Sequence, residues 1–265
     1  MATEIQSGID ELKLENADAE AYLVKISAMK TKLRLPANVN EANDDAPVNV
    51  TAVIETPGFE KDGTNSIYGW TSTGQKFGND DQLSALALES WESVFHIYQD
   101  IIGLPEGIYT LKVNGWQRTA SPTYLYAESE GQTFEKELIK LADGMPAGLS
   151  EPSTLIGARE MFDEVTFMNT LVVKAAGDKL RIGVRKDETT SADWIVIDEF
   201  QLWYHGANSQ LNPDSDGIED VANSQTVKVE YFTLDGRKAN SLQKGIMIQK
   251  MTFDNGAVIV KKIRK

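Results

Sequence analysis

The sequence has no cysteine, only two histidines, and no apolar run of the about 18 residues that a membrane-spanning helix needs. The missing cysteine excludes a disulfide framework and any thiolate-held metal. The histidines, His96 and His205, are far apart in the chain. There is no His-Glu-x-x-His, no Gly-x-Ser-x-Gly, no phosphate loop and no dinucleotide fingerprint. Catalysis could rest only on chain-distant carboxylates such as Asp100, Glu106 and Asp198 meeting in a cleft. Sequence therefore points away from an enzyme.

Positive charge is also scarce. Twenty-six Lys and Arg against 40 Asp and Glu leave a net charge of -14. A phosphate backbone needs a basic stripe, so nucleic acid is not an expected partner. The imbalance is local. Residues 224–265 carry nine basic and three acidic side chains, which leaves about -20 on the rest.

Ile5, Ile9, Leu12, Ala19, Leu23, Ile26 and Leu33 recur at alternating spacings of four and three, with Asn16 and Lys30 filling the same stripe. That is the seam of an amphipathic helix over 1–36, stopped by Pro36. One helix cannot bury such a stripe alone. It packs on the following domain, ends a helical bundle whose other members lie upstream, or pairs as a coiled coil. The opening Met-Ala-Thr-Glu-Ile-Gln lacks the basic and apolar regions of a leader, so an exported form would carry its leader further upstream.

Residues 37–47 are polar and read as a linker. From Val48 the period changes to two. Val50, Ala52 and Ile54 alternate with polar residues. Strand-like runs follow at 94–102, 108–118, 123–127, 134–138, 169–175, 179–185 and 194–204, with turn signals between them. Gly157–Val165 reads as a short helix with Met161 and Phe162 turned inward. Many short alternating strands and little helix predict a mainly β fold, a jelly-roll β-sandwich over 48–206. A second linker spans 207–223. Its acidic run from Asp214 to Asp220 imitates part of a calcium loop without the full spacing, and reads as solvated. Residues 224–265 then predict a small antiparallel β-domain, with hairpin turns at Asp235-Gly236 and Asn255-Gly256.

Three stretches carry a resemblance. Ile54-Glu-Thr-Pro-Gly-Phe-Glu, followed by Gly69-Trp70, looks like the opening of galactose-binding-like carbohydrate-binding modules. Residues 94–115 are similar to the paired strands crossing that jelly roll. Leu180-Arg-Ile-Gly-Val-Arg-Lys and Asp193-Trp-Ile-Val-Ile-Asp-Glu-Phe resemble its closing strands. Together they span about 160 residues, in the order the fold requires. Such modules occur in exported and surface proteins of polysaccharide-degrading Gram-negative anaerobes. The tail, Glu230-Tyr-Phe-Thr-Leu-Asp-Gly-Arg-Lys to Val260-Lys-Lys-Ile-Arg-Lys, resembles C-terminal sorting domains of such proteins. The resemblance implies an extracytoplasmic, non-catalytic binding module. It also implies a structural calcium ion, with Glu60 and Asp198 in the positions of its carboxylate ligands.

Strand parity proposes the binding residues. With Leu111, Val113, Phe95, Ile97, Leu125, Ile182 and Val184 inward, His96, Tyr98, Trp116, Arg118, Tyr124 and Arg185 point outward. Tyr126 and Arg181 follow by the same rule. Aromatic rings stack on the C–H face of a sugar, while His and Arg bond hydroxyls, so a polysaccharide or glycan is the expected partner. The competing expectation is that loops or the helix cover these side chains. The module would then be a structural or adhesion spacer contacting other surface proteins. Trp70 is expected in a packed loop and Trp194 in the core.

Overall fold

The computed structural model describes residues 16–74, 87–118, 121–145, 150–162, 166–213, 226–233, 237–239, 246–253 and 258–264. The chain divides into two compact units, 1–214 and 215–265. The first is a β-sandwich preceded by a helix; the second is a small sheet.

The sandwich is made of two five-stranded antiparallel sheets. The first sheet orders β1 (Val48–Asn49), β12 (Trp194–Gly206), β7 (Gly107–Gln117) and β10 (Met168–Ala175), with β5 (Leu88–Trp91) also paired to β12. The second orders β4 (Thr71–Gly74), β6 (Phe95–Ile102), β11 (Lys179–Lys186), β8 (Tyr124–Ser129) and β9 (Gln132–Glu137). From β4 to β8 the chain changes sheet at every strand, and from β9 to β12 it does so again. This is the path of a jelly roll. Alternation in the sequence becomes alternation in burial: along β6, Phe95, Ile97 and Ile101 are buried, while Asp100 is exposed. One core joins both sheets, holding Phe95, Ile97, Leu125 and Ile182 from the second and Leu111, Val113, Ile195 and Leu202 from the first.

The segment after β1 departs from the strand reading. Only Val48–Asn49 forms a strand, and Thr51–Val53 forms a single 3-10 turn. Val50, Val53 and Ile54 are buried, but Ala52 is exposed. A turn buries neighbours rather than alternates, so the period-two signal here did not mean strand. Beyond it lies the hairpin β2 (Glu60–Lys61) and β3 (Thr64–Asn65).

The Gly-Phe-Glu and Gly-Trp stretches then come together. Trp70 lies 5.4 Å from Phe59 and 4.7 Å from Phe200, ring centre to ring centre, and its indole N–H donates to Thr56 O at 3.2 Å. Gly69 has φ +84°, and a Cβ there would sit 2.3 Å from Glu55 Cβ, so only glycine lets the loop close.

Helix α1 (Asn16–Arg34) packs on the sandwich by a narrow face centred on Ala28 and Thr31. Lys30 and Arg34 pair with Glu55, Arg34 Nη1 at 2.8 Å from Oε1. The apolar stripe points elsewhere: Leu23, Ile26 and Leu33 are exposed, Leu33 at 84 %. Ile5, Ile9 and Leu12 lie outside the described residues. The stretch 37–47 is not a free linker. Val39 is buried, and the Asn43 carboxamide accepts from the N–H groups of Asp45 and Ala46.

Helices α2 (Leu141–Gly144) and α3 (Leu155–Arg159) cover the outer face of the first sheet, where Leu141, Leu155 and Ala158 join Trp116, Phe167, Trp194 and Val196 in a second buried cluster. The predicted short helix is thus real but begins and ends earlier. Met161 and Phe162 lean partly buried on this cluster, and residues 163–165 lie outside the described ones.

The second unit is one antiparallel sheet in the order β14 (Lys238–Ala239), β13 (Thr226–Phe232), β15 (Ile246–Phe253), β16 (Val258–Arg264). Both predicted hairpin turns and the acidic run 214–220 fall outside the described residues. No described helix is long and apolar enough to cross a membrane.

Candidate functional site

The outer face of the second sheet carries most of the expected binding residues, and the strand register places them in rows. Thr73, His96, Arg185, Tyr124 and Glu137 form one row across five strands. Thr71, Tyr98, Gly183, Tyr126 and Glu135 form the next, and Asp100, Arg181, Glu128 and Thr133 the third.

The middle row has a gap in its side chains at Gly183. A Cβ there would meet Ile97 O at 2.3 Å, and Tyr98 Cβ and Tyr126 Cε1 at 2.9 Å. The two tyrosines therefore close in over bare backbone. Tyr126 is the floor of the face, 2 % exposed, and burial raises its phenol pKa far above the ordinary value. Tyr98 and Tyr124 are half-buried.

Two arginines lie over these rings. The Arg181 guanidinium is 4.0 Å from the Tyr98 ring centre. Arg185 is 5.3 Å from Tyr124 and 6.0 Å from Tyr126. Arg181 donates twice to Asp100, at 2.7 and 3.0 Å. Burial pushes the Asp100 carboxyl up, but Arg181 and Lys179 together hold it below the usual carboxylate range. Arg185 bonds Glu135 at 2.5 Å and Asp187 as well. His96 Nε2 meets the other Asp187 oxygen at 2.8 Å. Asp187 is held low because His96 and Arg185 outweigh burial. Each arginine over a ring is thus also paired with a carboxylate. A sugar hydroxyl, donor and acceptor at once, can bridge such a pair.

Trp116 and Arg118 are not on this face, which corrects the expectation. Strand β7, which carries Trp116 and ends at Gln117 just before Arg118, belongs to the other sheet, so outward there means the opposite side of the sandwich. Trp116 is fully buried in the cluster under α2 and α3, edge-on to Trp194 at 4.9 Å. Trp194 is buried too, but in that cluster rather than between the sheets. Arg118 lies over Trp194 at 4.7 Å and near Trp91 at 5.6 Å, with Nε 3.2 Å from Glu151 Oε2. Trp91 is 48 % exposed.

Glu60 and Asp198 differ in their surroundings. Glu60 is exposed on the β2–β3 hairpin. Asp198 is buried, its Oδ2 taken by Arg159 Nε at 2.9 Å and its Oδ1 by the Glu199 N–H at 2.8 Å. Burial outweighs Arg159 and pushes the Asp198 carboxyl up to about 7. The described residues contain no group of three or more His, Asp or Glu placed to share a metal ion.

The carboxylates Asp100, Glu106 and Asp198 are engaged separately. Asp100 binds Arg181 on the second sheet, Glu106 accepts from the Gly177 N–H at 3.3 Å, and Asp198 sits on the first sheet. The sequence reading missed Asp187, Glu135, Glu128 and Gly183. Register across β8, β9 and β11 brings them together, and only the parity of Glu128 and Glu135 in their own strands hinted at it.

No protein-family model matches the chain, and no curated protein matches it. Among solved structures, it is similar to TmCBM61, a carbohydrate-binding module solved in complex with β-1,4-galactotriose. The two share 17 % identity at a TM-score of 0.36, over 57 % of this chain and 97 % of that one. The fold assignment here rests on the strand pairing itself.

Proposed function

We propose that the chain is a non-catalytic carbohydrate-binding module, and that it holds a polysaccharide on the outer face of its second sheet. The observation that carries this reading is the register of His96, Arg185 and Tyr124 in one row beside Tyr98, Gly183 and Tyr126 in the next. Rings, paired charges and a side-chain gap then share one surface. Such a module concentrates a catalytic or surface partner on its substrate and contributes affinity without chemistry. Export to the cell surface, a sorting role for the C-terminal sheet and a structural calcium ion belong to the same reading. They rest on the sequence resemblance.

A screen of the intact chain against immobilised plant, host and microbial glycans tests the reading. Retention on at least one glycan, reduced in Tyr98→Ala and Tyr124→Ala, supports it. Retention on none ends it.

A second reading has its own observation. The exposed Leu23, Ile26 and Leu33 of α1 form an apolar stripe with coiled-coil spacing. That suits a spacer that docks another helix. Glycan-independent self-association, lost in Leu23→Glu/Ile26→Glu, favours it.

A further inference from the structure

The strap of residues 39–44 and the chain segment 204–209 line an open cavity of about 390 Å3. It belongs to the first unit and lies against the end of β12. This volume is in the range that takes one small ligand.

His205 is the residue the fold leaves incomplete there. It is 8 % exposed, and its Nε2 lies 2.8 Å from Thr110 Oγ1. Its other nitrogen, Nδ1, is buried without a hydrogen-bond partner. The Asp44 carboxylate is beside it, Oδ1 at 3.7 Å, beyond hydrogen-bond reach. Burial keeps the imidazole pKa below the ordinary value. Asp44 pulls the other way, and Lys112 adds to the lowering. Burial thus favours the neutral ring.

A neutral imidazole has one N–H and one lone pair. Whichever of the two Nδ1 carries, a hydroxyl satisfies it, because a hydroxyl both donates and accepts. A metal ion would complete only one tautomer. Asp44 is fixed by two bonds, from Ser209 Oγ and from the Gln210 N–H at 2.8 Å, and its carboxylate retains further acceptor sites. Two polar sites at this separation match adjacent hydroxyls of a sugar ring, one for Nδ1 and one for the carboxylate. Asn40 and Asn208 line the same wall.

We propose that this cavity is a separate saccharide-binding point, taking a vicinal diol of one sugar residue with His205 and Asp44 as the recognition pair. The proposal does not depend on the sheet face.

The test is a titration of the 15N-labelled full chain with D-galactose, D-mannose, D-xylose, L-arabinose and L-fucose. Amide shifts of 40–44 and 204–209 and the His205 ring nitrogens are followed. At least one sugar should move them saturably, and Asp44→Ala should weaken that binding about tenfold or more. The ring-nitrogen shift in the unmutated chain keeps the test independent of how that variant folds. Tyr98→Ala/Tyr124→Ala should leave the cavity response intact, which separates this proposal from the sheet-face reading. No saturable shift of His205 with any of the five sugars overturns it. So does equal binding by Asp44→Ala, or a response to calcium or zinc in place of sugar.

Discussion

Replacing Lys186 by Met should cost the sandwich more than any surface change. Lys186 and Asp193 are both fully buried, with Nζ 2.7 Å from Oδ2. The ammonium also donates to Ser121 O at 2.7 Å. Asp193 in turn accepts from the Thr190 N–H at 3.3 Å. The pair ties the end of β11 to the turn that leads into β12 and to the segment before β8. Methionine matches the length of lysine but leaves a carboxylate and a carbonyl buried without their cation.

Breaking one partner of a buried pair costs about 3–5 kcal/mol. For a unit of this size that lowers the melting temperature by roughly 10 °C. Urea unfolding of the intact chain, followed by tryptophan fluorescence, reads the loss. The double variant Lys186→Met/Asp193→Asn should recover a part of it, because no buried charge remains without its counter-ion. It will not recover all, since Ser121 O still lacks a donor. A loss under about 1 kcal/mol for Lys186→Met would refute the reasoning, because a surface pair is worth no more than that.

Trp116→Ala should lower stability by about 3–5 kcal/mol, as expected for a large buried aromatic, with no specific effect on glycan affinity at temperatures where the variant stays folded. Gly183→Ala should cost about 1–3 kcal/mol by forcing a methyl against Ile97 O, measurable in the same urea titration. A 13C titration of the native Asp198 carboxyl should have its midpoint near 7, against an ordinary 3.8. Native burial then favours the protonated form. Its stabilising contribution is complete below the ordinary value and is lost as pH rises through about 7, a loss that Asp198→Asn should abolish. A midpoint below 4 would show that Arg159, not burial, rules that carboxyl.

The sandwich was legible because its strands obey a period of two, and the long runs lie within two residues of their predicted bounds. The segment 48–54 was not, since a 3-10 turn happened to alternate its apolar residues in sequence. Parity along one strand correctly turned His96, Tyr98, Tyr124 and Arg185 outward. It could not say that β7 lies in the other sheet, so Trp116 was assigned to a face it never reaches. Its burial depends on α2 and α3, whose covering role has no local signal. The polar stretch 37–47 looked like a linker because its single buried anchor, Val39, is too little to show in composition. Asp44 and His205 are 161 residues apart in sequence, and only the folded end of β12 brings them together.

Calorimetric titration of the intact chain with whichever polysaccharide the glycan screen retains, repeated for Tyr98→Ala and Tyr124→Ala, tests the central claim most directly. Loss of a ring should weaken binding about tenfold, near 1.4 kcal/mol, with little change in unfolding midpoint. Unchanged affinity in both variants would mean that the second sheet's outer face is not where the sugar sits.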